Sequence, residues 1–248
     1  MGGIGMPWYE ESFGEDYLLV YKHRSRRRAD REIEAVVRWL QLKQGTSLLD
    51  LCCGTGRHSI PLHRHGFCVT GVDLSPVLLQ VAEEEAEGLD ISFHQGDMRD
   101  LPFQDNQFDG LVNLFTSFGY FADDRENERV LREIARVVKP GGRFVIDYLN
   151  HAVVKEGLVP QSERMEEEVV IREKRWTEEG FVKKEIEVED NEGKRRYLER
   201  VKLYTREQME TMMTAAGLVI EKVKGDFDSS DYAEATSPRM IFTGSVKG

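Results

Sequence analysis

The chain has 248 residues, of which 40% are hydrophobic and 32% charged, and its formal net charge is −11. This length can bury the core of one sizeable α/β domain, alone or with a small appendage. The acidic balance disfavours nucleic acid as a partner, and no apolar run approaches the roughly 20 residues that a membrane helix needs. The first six residues lack the features of a secretory signal and no cysteine spacing suits zinc or a disulfide framework, so we expect a cytoplasmic protein without a metal site.

Strands and helices alternate through the first 150 residues. Residues 1–24 are aromatic and irregular, and the basic cluster His23–Arg28 is interpreted either as a solvated helix start or as a source of arginines for an anionic group. Apolar residues at helical spacing then predict a helix over Ala29–Leu42. Short apolar runs predict five strands, at Ser47–Leu51, Phe67–Val72, Ile91–His94, Phe108–Leu114 and Arg143–Leu149. The helices between them are expected at His58–His65, Ser75–Gly88 and Arg125–Val138, the last broken by Pro140-Gly141-Gly142.

This alternation predicts an α/β fold with a mostly parallel, doubly wound sheet and helices on both faces. Residues 164–203 interrupt it with apolar and charged residues in alternation, which is typical of an antiparallel meander with one wet face. The chain returns to helix over Thr205–Ala216, where Gln208 completes a capping box. Two final strands are expected at Leu218–Val223 and Met240–Val246.

A glycine turn joins the first strand to the following helix in the segment Leu48–His58, which reads LLDLCCGTGRH. Gly54 and Gly56 allow the backbone to come close to a ligand, where a Cβ atom would collide. The free N–H groups at the start of the helix suit either a pyrophosphate or the carboxylate of an amino-acid moiety. Asp50, near the end of the strand, is a candidate partner for an ammonium group.

A carboxylate follows at the end of the second strand. Asp73 comes 17 residues after Gly56, where an acidic side chain hydrogen-bonds both hydroxyls of a ribose and repels the 2′-phosphate of NADP. The alternative is that Asp73 only caps the helix that begins near Ser75. The ribose interpretation fits both NAD and S-adenosylmethionine (SAM).

A third segment, Gly96–Phe103, distinguishes between the two ligands. Asp97 can accept a hydrogen bond from the exocyclic amine of adenine, and Met98 can pack on the ring while its N–H reaches a ring nitrogen. Dinucleotide dehydrogenases have no need of this pair, and Ser59 stands where their fingerprint has its third glycine. The sequence therefore favours SAM over NAD.

In order and spacing, these segments and Pro140-Gly141-Gly142 resemble the class I SAM-dependent methyltransferase family across roughly residues 30–150 and from 205 to the end. The family's first motif reads acidic-x-Gly-x-Gly-x-Gly, and this chain has Cys52 in place of the first glycine. The chain resembles in particular a bacterial branch with the segments DLCCGTGRHS and NLFTSFGYF. The resemblance implies a seven-stranded Rossmann-like sheet, SAM as cofactor, and methyl transfer to an N or O nucleophile of a small molecule by in-line displacement.

The resemblance and the motifs together give the expected site. The residues expected to bind the cofactor are Asp50, Cys52, Gly54, Gly56, Asp73, Leu74, Asp97, Met98 and Asn113. Those expected to bind the acceptor are Tyr9, Tyr17, Ser117, Phe118 and Tyr148. The candidate catalytic residues are Tyr120 and His151.

The predicted elements and the family resemblance together give the expected domain organisation. Residues 1–150 and 205–248 are expected to form the SAM-binding domain, with residues 1–28 as a lid over the site. Residues 160–204 are expected to form a β insertion that covers the acceptor side or makes a dimer contact, so both a monomer and a homodimer are compatible with the sequence. Three alternatives stay open: a SAM-binding regulator without turnover, an RNA or protein methyltransferase, and an NAD-linked oxidoreductase.

Overall fold

The computed structural model describes residues 7–22 and 26–248. The helices are α1 (Trp8–Glu11), α2 (Glu15–Val20), α3 (Arg26–Leu40), α4 (Ser59–Arg64), α5 (Pro76–Glu85), α6 (Asp124–Val137), α7 (His151–Gly157) and α8 (Arg206–Ala215). The strands are β1 (Ser47–Leu51), β2 (Cys68–Asp73), β3 (Ser92–Gln95), β4 (Phe108–Asn113), β5 (Val138–Leu149), β6 (Gln161–Glu166), β7 (Val169–Glu178), β8 (Phe181–Asp190), β9 (Gly193–Lys202), β10 (Leu218–Lys224) and β11 (Arg239–Val246).

A seven-stranded sheet forms the centre of the fold, in the order β10-β11-β5-β4-β1-β2-β3. The strands β1 to β5 run parallel, and β11 is antiparallel to both β5 and β10. This confirms the predicted doubly wound sheet. The strand order reverses between β1 and β4, and in such sheets ligands bind in the crevice outside the carboxyl ends of the strands at that point.

Helices cover the sheet on both faces because successive strand residues point to opposite sides. In β1, Leu48 belongs to an apolar cluster with Ile33 of α3, whereas Leu49 belongs to a second cluster with Val130 of α6 and Met209 of α8. All five side chains are fully buried. The two clusters fix the sheet between its helical layers and thereby fix the carboxyl edge that carries the candidate site.

A second, antiparallel sheet has the order β6-β7-β8-β9 and lies between α7 and α8 in the chain. This is the predicted β insertion, and we use that name for residues 161–202. The sequence predicts the insertion over residues 160–204 but misses β6 as a strand, because the run Gln161–Glu166 is almost entirely polar and has no apolar alternation. The two short helices α1 and α2 and the helix α7 were likewise not predicted.

The segment Pro140-Gly141-Gly142 differs from the expectation in one respect. It was expected to end a helix ahead of a strand, but α6 ends at Val137 and β5 runs from Val138 through this segment. The register between β4 and β5 shifts here. A Cβ on Gly142 would lie 2.8 Å from the carbonyl oxygen of Lys139, so the excursion requires glycine at this position.

Among the described helices, none is long and apolar enough to cross a membrane.

Candidate functional site

The glycine turn between β1 and α4 has a strained residue at its start. Cys52, Gly54 and Gly56 have φ angles of +59°, +56° and +71°, all in the left-handed region. Glycine adopts this conformation freely, but a side chain there costs about 1–2 kcal/mol. Cys52, which stands where the family motif has its first glycine, therefore adopts a glycine-like conformation at an energetic cost that glycine would not have.

Asp73, the last residue of β2, organises this turn. Its carboxylate accepts hydrogen bonds of 2.9 Å from the backbone N–H of Gly54 and from that of Ser75. Burial raises the pKa of the Asp73 carboxyl, and these N–H groups oppose the rise. Ser75 caps α5 by accepting from the N–H of Leu78, so the predicted ribose acid and the predicted helix cap are different residues, separated by Leu74.

The loop after β3 carries the predicted adenine pair. Asp97 accepts three hydrogen bonds from the side chain of Arg99, the shortest 2.6 Å, and one from its backbone N–H. Although burial raises the pKa of Asp97, the Arg99 guanidinium outweighs this effect and lowers it. The side chain of Met98 packs against the core, with its sulfur 3.8 Å from Cys52 Sγ. The carboxylate is thus held ionised and in a fixed orientation, ready to accept a hydrogen bond.

These three segments line one narrow cleft. Among its walls are Cys52 and Gly54 from the turn, together with Asp73, Leu74, Asp97 and Met98 from the ends of β2 and β3. The cleft opens into a larger cavity of about 710 Å³. Six residues line both spaces and so mark the junction between them: Phe13, Tyr17, Cys52, Gly54, Ser117 and Tyr120.

The N-terminal segment, residues 7–22, closes over this junction with aromatic rings. The ring of Tyr120 lies 5.1 Å from that of Trp8 and 5.9 Å from that of Phe13. The carbonyl of Phe13 accepts a 2.6 Å hydrogen bond from the hydroxyl of Ser75, which joins the segment to the cap of α5. Tyr9 lines the narrow cleft and Tyr17 lines both spaces.

The β insertion holds the other side of the N-terminal segment. Asp16 accepts a 2.6 Å hydrogen bond from Arg195 and another from the Tyr197 hydroxyl. Although burial raises the pKa of Asp16, these two donors lower it overall. The Tyr21 hydroxyl donates to Glu199 at 2.7 Å. The segment is therefore fixed between the central sheet and the insertion.

Comparison with known proteins identifies the central region. Residues 48–142 match the sequence family described as Methyltransferase domain. The chain is therefore similar to methyltransferases in this region. It is 40% identical over 119 residues to the demethylmenaquinone methyltransferase of Paenarthrobacter aurescens, covering 48% of this chain and 45% of that protein. It therefore spans about half the length of the curated relatives it matches.

Solved structures extend the likeness of the methyltransferase fold to nearly the whole chain. An S-adenosylmethionine-dependent methyltransferase from Clostridium acetobutylicum superposes with a TM-score of 0.79 at 20% identity, over 93% of this chain and 96% of that one. A sugar N-methyltransferase from a Streptoalloteichus species gives 0.73 at 27% identity, over 100% and 99%. The fold expected from the four motifs is confirmed.

Three predicted cofactor residues lie behind the cavity walls. Asp50 is 2% exposed, and its carboxylate accepts a 2.6 Å hydrogen bond from Ser59. Gly56 packs against Phe93, which a Cβ would meet at 3.2 Å. Asn113 is buried, and its amide donates to the carbonyls of Leu51 and Ser117, so it ties the glycine turn to the loop after β4. These residues support the walls rather than form them.

Three further predicted residues also lie outside the two spaces. Phe118 is 1% exposed in the core. Tyr148 is fully buried, and its hydroxyl donates to the carbonyl of Lys202. His151 begins α7, with Nε2 3.3 Å from Glu234. The structure thus places Tyr120 at the junction but does not bring His151 to it.

Several residues of the large cavity were not predicted as site residues. Arg57 follows the glycine turn directly, and its guanidinium donates to Glu32 at 3.1 Å and lies 5.2 Å from the Phe115 ring. Phe13 belongs to the aromatic N-terminal run, which is the signal that could have found it. Arg239 begins the antiparallel strand β11 and so lies at the same edge as the end of β5, which only the strand order shows.

Of the basic cluster His23–Arg28, residues 23–25 lie outside the described residues, as do the side chains of Arg26 and Arg27.

Proposed function

We propose that this chain is a SAM-dependent methyltransferase that transfers a methyl group to a small-molecule acceptor. One observation carries the proposal: a nucleoside-type cleft, lined by Asp73, Asp97 and Met98, opens at the glycine turn into a larger, partly open cavity. A methyl donor fits this arrangement, because its adenosine fills the cleft while its sulfur, at the junction, directs the methyl group into the cavity. The matched methyltransferase family supports the proposal and favours it over an NAD-linked oxidoreductase.

The residues fit SAM from one end of the cleft to the other. In this proposal Asp73 binds the ribose hydroxyls, and Asp97 and Met98 hold the adenine. A Cβ on Gly54 would meet only Leu78 Cδ1, at 4.0 Å, so the missing side chain leaves the wall open to a ligand. Arg57 lines the cavity beside the turn and suits a carboxylate.

When bound, SAM supplies a methyl group that its positive sulfur already activates. The chain's own part is therefore to position the acceptor and to exclude water. The aromatic rings of Trp8, Phe13, Tyr17 and Tyr120 close the junction against solvent. Burial raises the pKa of Tyr120 well above its usual range, so this residue stays a neutral phenol that orients the acceptor and does not take its proton.

A small acceptor fits a cavity of about 710 Å³. The cavity is bounded by the N-terminal segment, by the sheet edge at Leu149 and Arg239, and by Lys184 and Val201 of the β insertion. The insertion therefore covers the acceptor side in this proposal, and the N-terminal segment acts as the lid. Two similar proteins, a demethylmenaquinone methyltransferase and a sugar N-methyltransferase, are also named for small-molecule acceptors.

Thermal unfolding with SAM, S-adenosylhomocysteine or NAD tests the donor site. A ligand at a hundred times its Kd adds about 2.7 kcal/mol of stability, or roughly 5 °C for a chain of this size. We expect this shift with the two adenosyl compounds in the wild type and in the control Asp90→Asn, which changes an exposed residue. It should be lost in Asp73→Asn. A shift with NAD alone, or an equal adenosyl shift in Asp73→Asn, would contradict the proposal.

A further inference from the structure

An arginine stands at the acceptor end of the large cavity because of the sheet topology. β11 is antiparallel, so its first residue, Arg239, pairs with Leu149, the last residue of β5. Both residues line the cavity. The guanidinium thus lies at the carboxyl edge of the sheet, away from the adenine residues of the narrow cleft, which Arg239 does not line.

The guanidinium is held on two sides and open on the third. Arg239 Nε donates to Asp147 Oδ1 at 2.7 Å, and Nη2 donates to Thr116 Oγ1 at 2.5 Å. The side chain is 22% exposed, whereas Asp147 is 1% exposed. In residues 7–22 and 26–248, Nη1 has no hydrogen-bond partner. A fixed guanidinium with free donors is preorganised for an anion.

Strained backbone maintains this geometry. Phe115 and Thr116 have φ angles of +65° and +61°, a conformation that two successive non-glycine residues rarely share. The Phe115 N–H donates to Asp147 Oδ2 at 2.8 Å, and the Thr116 N–H donates to the Asp147 carbonyl at 3.1 Å. Such strain persists only where neighbouring contacts enforce it, and it is concentrated at binding sites. Here it places the Thr116 hydroxyl against Arg239.

The β insertion contributes charged side chains to the walls of the same cavity. These are Arg175, Lys184 and Glu199. Glu199 is already neutralised by Lys184 at 2.7 Å. Arg175 is paired in the same way with Glu173, so these charges of the insertion balance one another and Glu199 is not free to repel an anion.

We propose that the acceptor carries an anionic oxygen group, a carboxylate or a phosphate, and that Arg239 is the residue that selects it. This inference rests on the proposed methyl-transfer function and specifies its substrate class. Asp147 and Thr116 act as positioning residues, because both accept hydrogen bonds from the guanidinium and hold it in place.

Simple anions test this inference before the acceptor is known. Sodium phosphate and sodium acetate are titrated at constant ionic strength with saturating S-adenosylhomocysteine, so that the donor's own carboxylate subsite is filled. The thermal midpoint is measured for the wild type, for Arg239→Gln and for the control Arg206→Gln, whose arginine pairs with Glu210 on α8. We expect a saturable rise in the wild type and the control, with the half-saturating concentration at least ten-fold higher in Arg239→Gln. The anion with the lower half-saturating concentration indicates whether the anionic group of the acceptor is a phosphate or a carboxylate.

A second variant guards against misfolding. Asp147→Asn combined with Arg239→Gln replaces the ion pair by two amides, so that no buried carboxylate is left without a partner, and it should lose the anion effect to the same extent. Three outcomes would overturn the inference. The thermal midpoint could rise without saturation in all the proteins, it could rise in none of them, or it could respond equally in the wild type and in both Arg239 variants. The rise in thermal midpoint caused by S-adenosylhomocysteine in the same samples tests the proposed function separately. If S-adenosylhomocysteine causes no rise, the proposed methyl transfer is contradicted, whatever the anions do.

Discussion

Asp50 gives the unliganded protein a pH-dependent stability. Burial raises the pKa of this carboxyl from 3.8 to about 7, and the nearby Asp73 adds to the rise, whereas the hydrogen bond from Ser59 and the charge of Arg57 oppose it. This rise in the pKa of Asp50 means that folding favours the protonated carboxyl over the ionised one by roughly 4 kcal/mol. The folded state therefore binds a proton at Asp50 over a pH range in which the unfolded chain does not.

The sign and size of the effect follow from proton linkage. A raised pKa contributes stability that is fully present below pH 3.8 and is lost as the pH rises through about 7. Between pH 5.5 and pH 8 the contribution of this carboxyl to the free energy of unfolding falls by about 2 kcal/mol. Asp50→Asn keeps an acceptor for the Ser59 hydroxyl and removes the titration.

Urea unfolding at the two pH values, without ligand, measures this contribution. The stability of Asp50→Asn relative to the wild type should rise by about 2 kcal/mol between pH 5.5 and pH 8. The control Asp90→Asn, at an exposed position, should show no such change. A difference between Asp50→Asn and the wild type that is the same at both pH values would refute the reasoning.

Three further predictions concern the turn and the lid. At Cys52, whose φ is +59°, the glycine variant should be about 1 kcal/mol more stable to urea than the alanine variant, the reverse of the usual order. Ser75→Ala should cost about 1 kcal/mol in the same assay, because it removes the cap of α5, and it also removes the hydrogen bond to Phe13. Asp16→Ala should weaken S-adenosylhomocysteine binding several-fold in calorimetry while changing global stability by less than about 1 kcal/mol, since the partly exposed pair with Arg195 mainly fixes the lid.

Each of these has an outcome that would count against it. A Cys52→Ala protein at least as stable as Cys52→Gly would mean that the turn relaxes and carries no strain. Unchanged stability in Ser75→Ala would show that the cap is dispensable. Glu210→Gln is a control for Asp16→Ala, because it breaks an exposed ion pair on α8, away from the lid. If both variants bind S-adenosylhomocysteine like the wild type, the N-terminal segment does not control the site.

The sequence predicted the parts of the fold whose chemistry is local. Most of the seven central strands contain a short apolar run, although β3 is mostly polar, and the capping box of Thr205 and Gln208 is present as expected. The strand β6 was missed because its pairing with β7, not its own residue pattern, makes it a strand. Its six residues alternate in exposure without being apolar.

The site residues were predictable where a motif fixes both the residue type and the side of the wall that its side chain faces. The glycine turn, Asp73 and the pair Asp97–Met98 lie on one cleft, as their spacing implied. A position at a strand end does not say which side of a wall the side chain occupies, so Asp50 was expected to face the ligand but lies behind the turn.

Contacts between distant segments were beyond the sequence. Arg239 reaches the site because β11 is antiparallel to β5, and its orientation depends on Asp147, 92 residues earlier in the chain. The lid depends in the same way on Asp16 meeting Arg195, 179 residues later. No local pattern encodes such pairs.

A crystal structure with bound S-adenosylhomocysteine tests the central claim most directly. We predict the ribose hydroxyls on the carboxylate of Asp73, the adenine between Asp97 and Met98, and the sulfur at the junction beside Tyr120. Ligand density in another part of the molecule, or a ribose that does not contact Asp73, would contradict the proposed donor site and with it the methyl-transfer function.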